Sequence, residues 1–206
     1  MPIYLAIADQ QPPYMLNFRE DATAFRSFIA EHRQRVFNVV LKRVQHLQDA
    51  EDITQDVFVD VYHKSSAFRG EAAVSTWLYR IAMNKSIDHL RKKQRREKGA
   101  WIGFFKPGAT GETVDTDFYH PGIAAENKEK SVVLFNAMRS LPEKQHTAWV
   151  LSEMENLSYK EITEVMNLSL SSVESLLFRA RQNLKKTISG MYPGYSSGTG
   201  ASKTDR

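Results

Sequence analysis

Between residues 18 and 98 apolar side chains recur at three- and four-residue steps, a period that predicts helices throughout. Phe25, Phe28, Ile29, Val36, Phe37, Val40, Leu41, Val44 and Leu47 draw one stripe. Asp49 then offers an N-cap to a second helix, whose inner face is Ile53, Val57, Phe58, Val61 and Tyr62. Residues 65–75 read as a loop around Gly70, and Thr76 is a candidate cap for a third helix carrying Trp77, Leu78, Ile81, Ala82, Ile87 and Leu90. No proline interrupts this stretch, and Gly70 is its only glycine.

The period fades from Gly99 to Ala125, where Gly103, Pro107, Gly108, Gly111, Pro121 and Gly122 punctuate a faintly acidic segment. This is the expected linker (99–125), although Trp101, Phe104, Phe105, Phe118 and Tyr119 make it richer in aromatics than a bare spacer. Helical periods return over 126–189, in shorter pieces. Val132, Val133, Phe135, Met138 and Leu141 form one helix, and Pro142 opens the next. Residues 1–17 form an N-terminal extension and 190–206 a Gly/Ser-rich tail expected to be disordered. Met15 offers an alternative start. The expectation is an all-α chain of two small helical domains joined by a flexible tether.

In the second domain Ser158-Tyr159-Lys160-Glu161 has the spacing of a capping box and opens a short helix. Asn167 and Leu168 make a brief turn, and Ser169 can cap a second helix with a Val173, Leu177, Ala180, Leu184 core stripe. Two short helices across a tight turn fit a helix-turn-helix and a plain helical hairpin equally well. In the first reading Ser171, Ser172 and Ser175 face base edges while Arg179 and Arg181 hold phosphate. Glu174 either accepts from a cytosine amine or completes a capping box with Ser171.

Charge sharpens the picture. From Arg80 to Lys98 there are eight basic residues (Arg80, Lys85, Arg91, Lys92, Lys93, Arg95, Arg96, Lys98) against Asp88 and Glu97. Complementing a helix dipole needs one or two cations in the last turn, so this cluster points to a polyanion. Trp77, Tyr79 and Asn84 near its start supply stacking faces and an amide, which suits single-stranded bases. Asp52, Asp56 and Asp60 instead repeat every four residues beside Gln55. Such a stripe is commonly a solvated face, yet it also avoids DNA and suits a basic protein surface.

The whole chain of 206 residues carries a net charge of +4, compatible with nucleic acid but too mild to argue it alone. Cysteine is absent, which excludes disulfides, thiolate metal sites and cysteine nucleophiles. No apolar run approaches the ~20 residues of a membrane span, and the short opening Pro2–Ala8 lacks a basic leader, so no membrane insertion and a cytoplasmic location are expected. Gly103 and Gly108 have P-loop spacing, but Ala109 stands where the lysine belongs; the six histidines show no paired ligand spacing. No enzyme activity, metal or cofactor is expected.

Asp49–Phe58, Phe68-Arg69-Gly70-Glu71-Ala72 and Ser75–Asn84 resemble region two of extracytoplasmic-function (ECF) sigma factors of the sigma-70 family. Leu141-Pro142-Glu143, Leu157–Ile162 and Leu177-Phe178-Arg179-Ala180-Arg181 resemble their region four. The likeness spans about Phe25 to Ile188 in order and spacing. It implies that 18–98 is region two and 126–189 region four, with RNA polymerase core and promoter DNA as partners, and an anti-sigma factor as a further one. Asp52, Gln55 and Asp56 would grip the polymerase clamp. The 65–75 loop with Phe68 and Arg69 would receive a flipped base of the minus-ten element, flanked by Trp77, Arg80, Asn84, Arg91, Lys92, Lys93, Arg95 and Arg96. Ser171, Ser172, Glu174, Ser175, Arg179 and Arg181 would read the minus-thirty-five duplex. The linker would thread toward the RNA exit path.

Two positions depart from the resemblance. Where the family often carries a basic residue in the recognition helix, this chain has Glu174 and Leu176. Leu176 fits either a thymine methyl contact or the edge of the core. Alternatives to the sigma reading are a stand-alone helix-turn-helix regulator, which would bind duplex without polymerase, and a protein-only adaptor. A long aromatic-bearing linker between two small domains also predicts compact docking that hides DNA-binding surfaces, in the free state or with an anti-sigma partner.

Overall fold

A computed structural model describes residues 18–68, 70, 72–103 and 128–191. The calls on residues 1–17, on Arg69, on most of the linker and on the end of the tail lie outside these. The described part is helical: α1 (Ala22–Val44), α2 (Leu47–Lys64), a 3-10 turn (Ser65–Ala67), α3 (Val74–Gly103), α4 (Lys128–Arg139), α5 (Glu143–Trp149), a π turn (Val150–Met154), α6 (Tyr159–Met166) and α7 (Leu170–Met191).

Helices α1 to α3 form one bundle. The Asp21 carboxylate caps α1 by accepting from the Thr23 and Ala24 amides at 2.9 and 2.8 Å. Gln45 ends it in the left-handed region at φ 54°, donating its amide to the Leu41 carbonyl. The next residue, not Asp49, caps α2: the His46 Nδ1 accepts from the Asp49 amide at 3.2 Å, so the helix starts at Leu47. Asp49 still lies in the first turn, where the positive end of the helix dipole favours a carboxylate. Thr76 is likewise not a cap. The third helix begins at Val74, and Thr76 is buried inside its first turn.

The predicted stripes meet in the core. Val36, Val40 and Leu41 of α1, Ile53, Val57 and Val61 of α2, and Leu78, Ala82 and Met83 of α3 are all essentially inaccessible. Val39 completes the face of α1, and Phe18 extends it by packing on Phe25 and Phe28 with ring centroids 5.1 and 4.9 Å away. The two buried hydroxyls in the bundle are satisfied within their own helices, Thr54 donating to the Ala50 carbonyl and Ser86 to that of Ala82.

Region boundaries move in two places. Helix α3 continues through Gly99 to Gly103 instead of giving way to linker at 99. One interior glycine costs about 1 kcal/mol against alanine, too little to stop a helix already propagating. Helix α7 runs to Met191, so Gly190, expected in the tail, is helical.

In the second bundle α7 lies centrally. Val173, Leu177, Ala180 and Leu184 are buried as expected, against Phe135 and Met138 of α4, Ala148 of α5, Leu151 of the π turn, and Ile162 and Val165 of α6. Pro142 flanks α5 as its N-cap, one position before the first helical residue expected for it. The capping box at α6 is present: the Glu161 amide donates to the Ser158 hydroxyl at 3.3 Å and the Ser158 amide to the Glu161 carboxylate at 2.7 Å. Asn167 turns the chain in the left-handed region at φ 51°, and the Ser169 hydroxyl accepts from the Ser172 amide at 3.3 Å to open α7.

One element was not legible in the periodicity. Past Trp149 the helix widens into the π turn, closed by the Glu155 amide donating to the Val150 carbonyl at 3.1 Å. Asn156 then reverses the chain at φ 56°. The widened turn rotates Glu153 and Glu155 to the edges of the bundle, where both make ion pairs described below. Single-turn π segments of this kind are frequent at functional positions.

Candidate nucleic-acid and polymerase interfaces

The acidic stripe of α2 divides. Asp60 is tied to Lys64 at 2.7 Å and to Lys85 of α3 at 2.8 Å. Burial pushes the Asp60 carboxyl up, but the two lysines together outweigh it and leave it below the usual carboxylate range. It is a clamp between α2 and α3. Asp52, Gln55 and Asp56 are exposed, and among the described residues neither aspartate makes an ion pair; Asp52 only accepts from the Gln48 amide at 3.3 Å. Gln55 is also the rim of a groove of about 530 Å³ between α1 and α2, lined by Phe25, Ile29, Phe58, Val59 and Tyr62. Val59 is 55% exposed. An apolar floor beside two free carboxylates suits a protein partner with a basic, partly apolar helix.

On α3 the residues assigned to the minus-ten element are brought to one unit but not to one state. Arg80, Asn84, Lys92, Arg95 and Arg96 are exposed. Trp77 is half-buried and stacks at 4.9 Å on the ring of Phe68, which is itself buried. Phe68 thus supports the loop from beneath and presents no open stacking face. Lys93 lies 3.5 Å from the Asp49 carboxylate. Arg91 makes a two-pronged contact with Glu143 of α5, Nε at 3.0 Å and Nη2 at 2.8 Å.

On α7 Ser171, Glu174, Ser175 and Arg179 are exposed, and Ser172 is half-buried. The hydroxyls of Ser171 and Ser172 lie 3.2 and 2.8 Å from that of Ser169. Since Ser169 is the cap, Glu174 completes no capping box and is left facing solvent. Arg181 pairs with Glu153 of the π turn at 2.7 Å. Leu176 is half-buried against the core, which settles its alternatives in favour of the core edge. Phe178, by contrast, is 61% exposed beside Arg179, and Leu170 is 51% exposed at the helix start. Two adjacent apolar residues on a helix cannot both face inward, so the Leu177-Phe178 pair was the signal for an exposed ring.

The two bundles touch, as the sequence expectation of compact docking required. Helix α3 packs on α6, and the end of α1 on the π turn. Lys42 reaches Glu155 at 2.6 Å and the Met154 carbonyl at 3.2 Å, while the Tyr79 hydroxyl donates to the other oxygen of Glu155 at 2.9 Å. Arg139 donates to Gln45 at 2.7 Å. Burial and the neighbouring Glu155 push the Tyr79 phenol well above its ordinary value, keeping it a neutral donor. The interior beside this seam is strained in polarity: Arg43, Gln45 and His146 are buried, and the Arg43 Nε, Gln45 Nε2 and His146 Nδ1 atoms have no hydrogen-bond partner.

Burial, with a smaller push from Arg43, lowers His146 from 6.5 to about 3. The unfolded chain takes up this proton below pH 6.5 and the folded chain does not. Stability is therefore complete above 6.5 and declines as pH falls toward 3. In thermal melts from neutral to mildly acidic buffer, the wild-type midpoint should fall more steeply than that of His146→Gln. Parallel curves would refute the assignment.

A family model for Sigma-70 region 2 matches residues 28–96, and one for Sigma-70, region 4 matches residues 131–184. The chain is 31% identical over 175 residues to the RNA polymerase sigma-H factor of Pseudomonas aeruginosa, covering 82% of this chain and 89% of the relative. It is 32% identical over 173 residues to the ECF RNA polymerase sigma-E factor of Haemophilus influenzae, with the same coverage of 82% and 89%. In fold it is similar to the sigma factor RpoE in complex with the anti-sigma factor NepR from Bartonella quintana (TM-score 0.61, 18% identity, 80% of this chain and 96% of that one). It is also similar to CnrH in complex with the cytosolic domain of CnrY (TM-score 0.57, 21% identity, 84% and 92%). The matched residues run across both bundles, so the chain belongs to the sigma-70 family of RNA polymerase sigma factors, in its ECF group.

Proposed function

We propose that the exposed faces divide the work of promoter recognition by electrical character, and that this division is the observation carrying the functional reading. Asp52, Gln55 and Asp56, with the apolar groove beside them, take the polymerase core. Trp77, Arg80, Asn84 and the Arg91–Arg96 run hold the opened minus-ten strand, with Arg69 and the loop above Phe68 receiving a base. Ser171, Ser172, Glu174, Ser175 and Arg179 enter the major groove of the minus-thirty-five element, with Arg181 on phosphate. The protein acts without a chemical step of its own, as a specificity subunit in the cytoplasm. Among the described residues no helix is long and apolar enough to cross a membrane.

An anti-sigma factor is a fitting further partner, because two solved relatives of this fold are held in such complexes. A stand-alone regulator using only α6 and α7 would leave the free carboxylates of α2 and the basic run of α3 without a purpose.

Reconstituted transcription tests the assignment. Core enzyme with this chain should start at new promoters, and the chain alone should bind duplex weakly. Arg179→Ala and Asn84→Ala should each lower promoter-specific initiation by roughly 5- to 150-fold, the range of one lost base or phosphate contact. Initiation unchanged in both variants would remove these residues from the interface.

A further inference from the structure

The docked arrangement cannot read a promoter. Helix α3, carrying the minus-ten residues, lies against α6 of the helix-turn-helix. Elements named for positions ten and thirty-five are about 25 base pairs apart, roughly 85 Å of duplex at about 3.4 Å per step. Two reading units in mutual contact cannot reach both. The 24 residues between 103 and 128 can span at most roughly 80 Å when fully extended, which together with the bundles themselves is enough for an open form.

We propose that the docked arrangement is a self-inhibited state, clasped by Glu143 and Glu155, in which the chain's own carboxylates hold cations and donors that the open form releases. This rests on the promoter-reading roles assigned above. Glu143 takes Arg91 with a two-pronged geometry that a phosphate would also accept. Glu155 binds Lys42 and Tyr79 together, one oxygen to each, from a turn whose π geometry aims it there. Both glutamates belong to region four, and all three of their partners belong to region two. The clasp is therefore between the reading units and absent within either.

The energetics suit a switch more than a lock. Lys42 and Glu155 keep only 16% and 9% of their side-chain surface, so closing strips water from both and returns much of the attraction as desolvation cost. The donors of Arg43, Gln45 and His146 left without acceptors next to the seam oppose closure further. Removing one partner of the buried pair, however, strands the other charge and opens the seam strongly. A competing polyanion or a partner gripping region two has only this small balance to overcome.

The chain has no native cysteine, so paired labels at Gln34→Cys and Lys186→Cys, both exposed, report the distance between bundles in the intact protein. Wild type should give one short distance. Glu143→Gln combined with Glu155→Lys should give a long, broad distribution and at least about fivefold tighter binding to minus-thirty-five duplex without polymerase. Lys42→Glu should open the seam from the other side, and Lys42→Glu with Glu155→Lys should restore the short distance. Circular dichroism checks that each variant is folded. A short distance in both opened variants overturns the clasp. A long distance with unchanged duplex affinity overturns self-inhibition. If instead wild type and variants all fail to start transcription with core enzyme while the distances shift as expected, the clasp stands and the promoter-reading roles fall.

Discussion

Replacing both Asp52 and Asp56 with lysine is expected to weaken capture by core polymerase roughly 100-fold or more while leaving the fold intact. The two carboxylates are exposed one helical turn apart and, among the described residues, carry no ion pair, so no internal contact is lost. Surface changes of that kind shift stability by about 0.5 kcal/mol or less. Turning two attractive charges into two repulsive ones against a basic surface costs several kcal/mol, and each 1.4 or so is a factor of ten in affinity. Asp60→Asn is the internal control. Asp60 holds Lys64 and Lys85, so its loss should lower the melting midpoint and spare polymerase binding. A pull-down in which the double lysine variant retains wild-type affinity would remove α2 from the polymerase interface.

The second large effect lies in the helix-turn-helix. Leu177 is fully buried where α7 meets the rest of its bundle. Leucine-to-alanine changes at such sites cost about 2–5 kcal/mol. A unit as small as residues 128–191 has a margin of only roughly 3–5 kcal/mol from its core. Leu177→Ala should therefore unfold much of region four at physiological temperature, abolishing minus-thirty-five-dependent initiation. Region two has its own core and should keep binding polymerase. Loss of about a third of the helical signal with retained pull-down is the expected pair of results. Full helicity and normal initiation would show that this core tolerates the cavity.

Local rules carried most of the fold. Ser158 with Glu161, Asn167 and Ser169 could be read from spacing, because caps and turns are set by residues within four positions of one another. The start of α2 could not: His46 and Asp49 both suit a cap, and only the orientation of the imidazole decides. Nor could the extension of α3 to Gly103, where a lone glycine looks like a breaker and is merely a cost. The site was legible as charge along the chain but not as charge in use. Asp60 resembles Asp52 and Asp56 in sequence, yet it is committed to two lysines. Arg91 and Arg181 look as free as Arg95, yet carboxylates hold both. Those pairings join residues far apart in the chain, 113 positions for Lys42 with Glu155, and no period records them. The π turn that aims Glu155 was equally silent, since its apolar spacing continues that of the helix before it.

One reconstitution bears on the division of labour directly: core polymerase, this chain and a randomised promoter library, with start sites read by sequencing. The account predicts a defined set of starts that appears only when both proteins are present, carrying one preferred sequence near minus ten and another near minus thirty-five. Starts identical to those of core enzyme alone, or binding of duplex by this chain that polymerase does not alter, would contradict it.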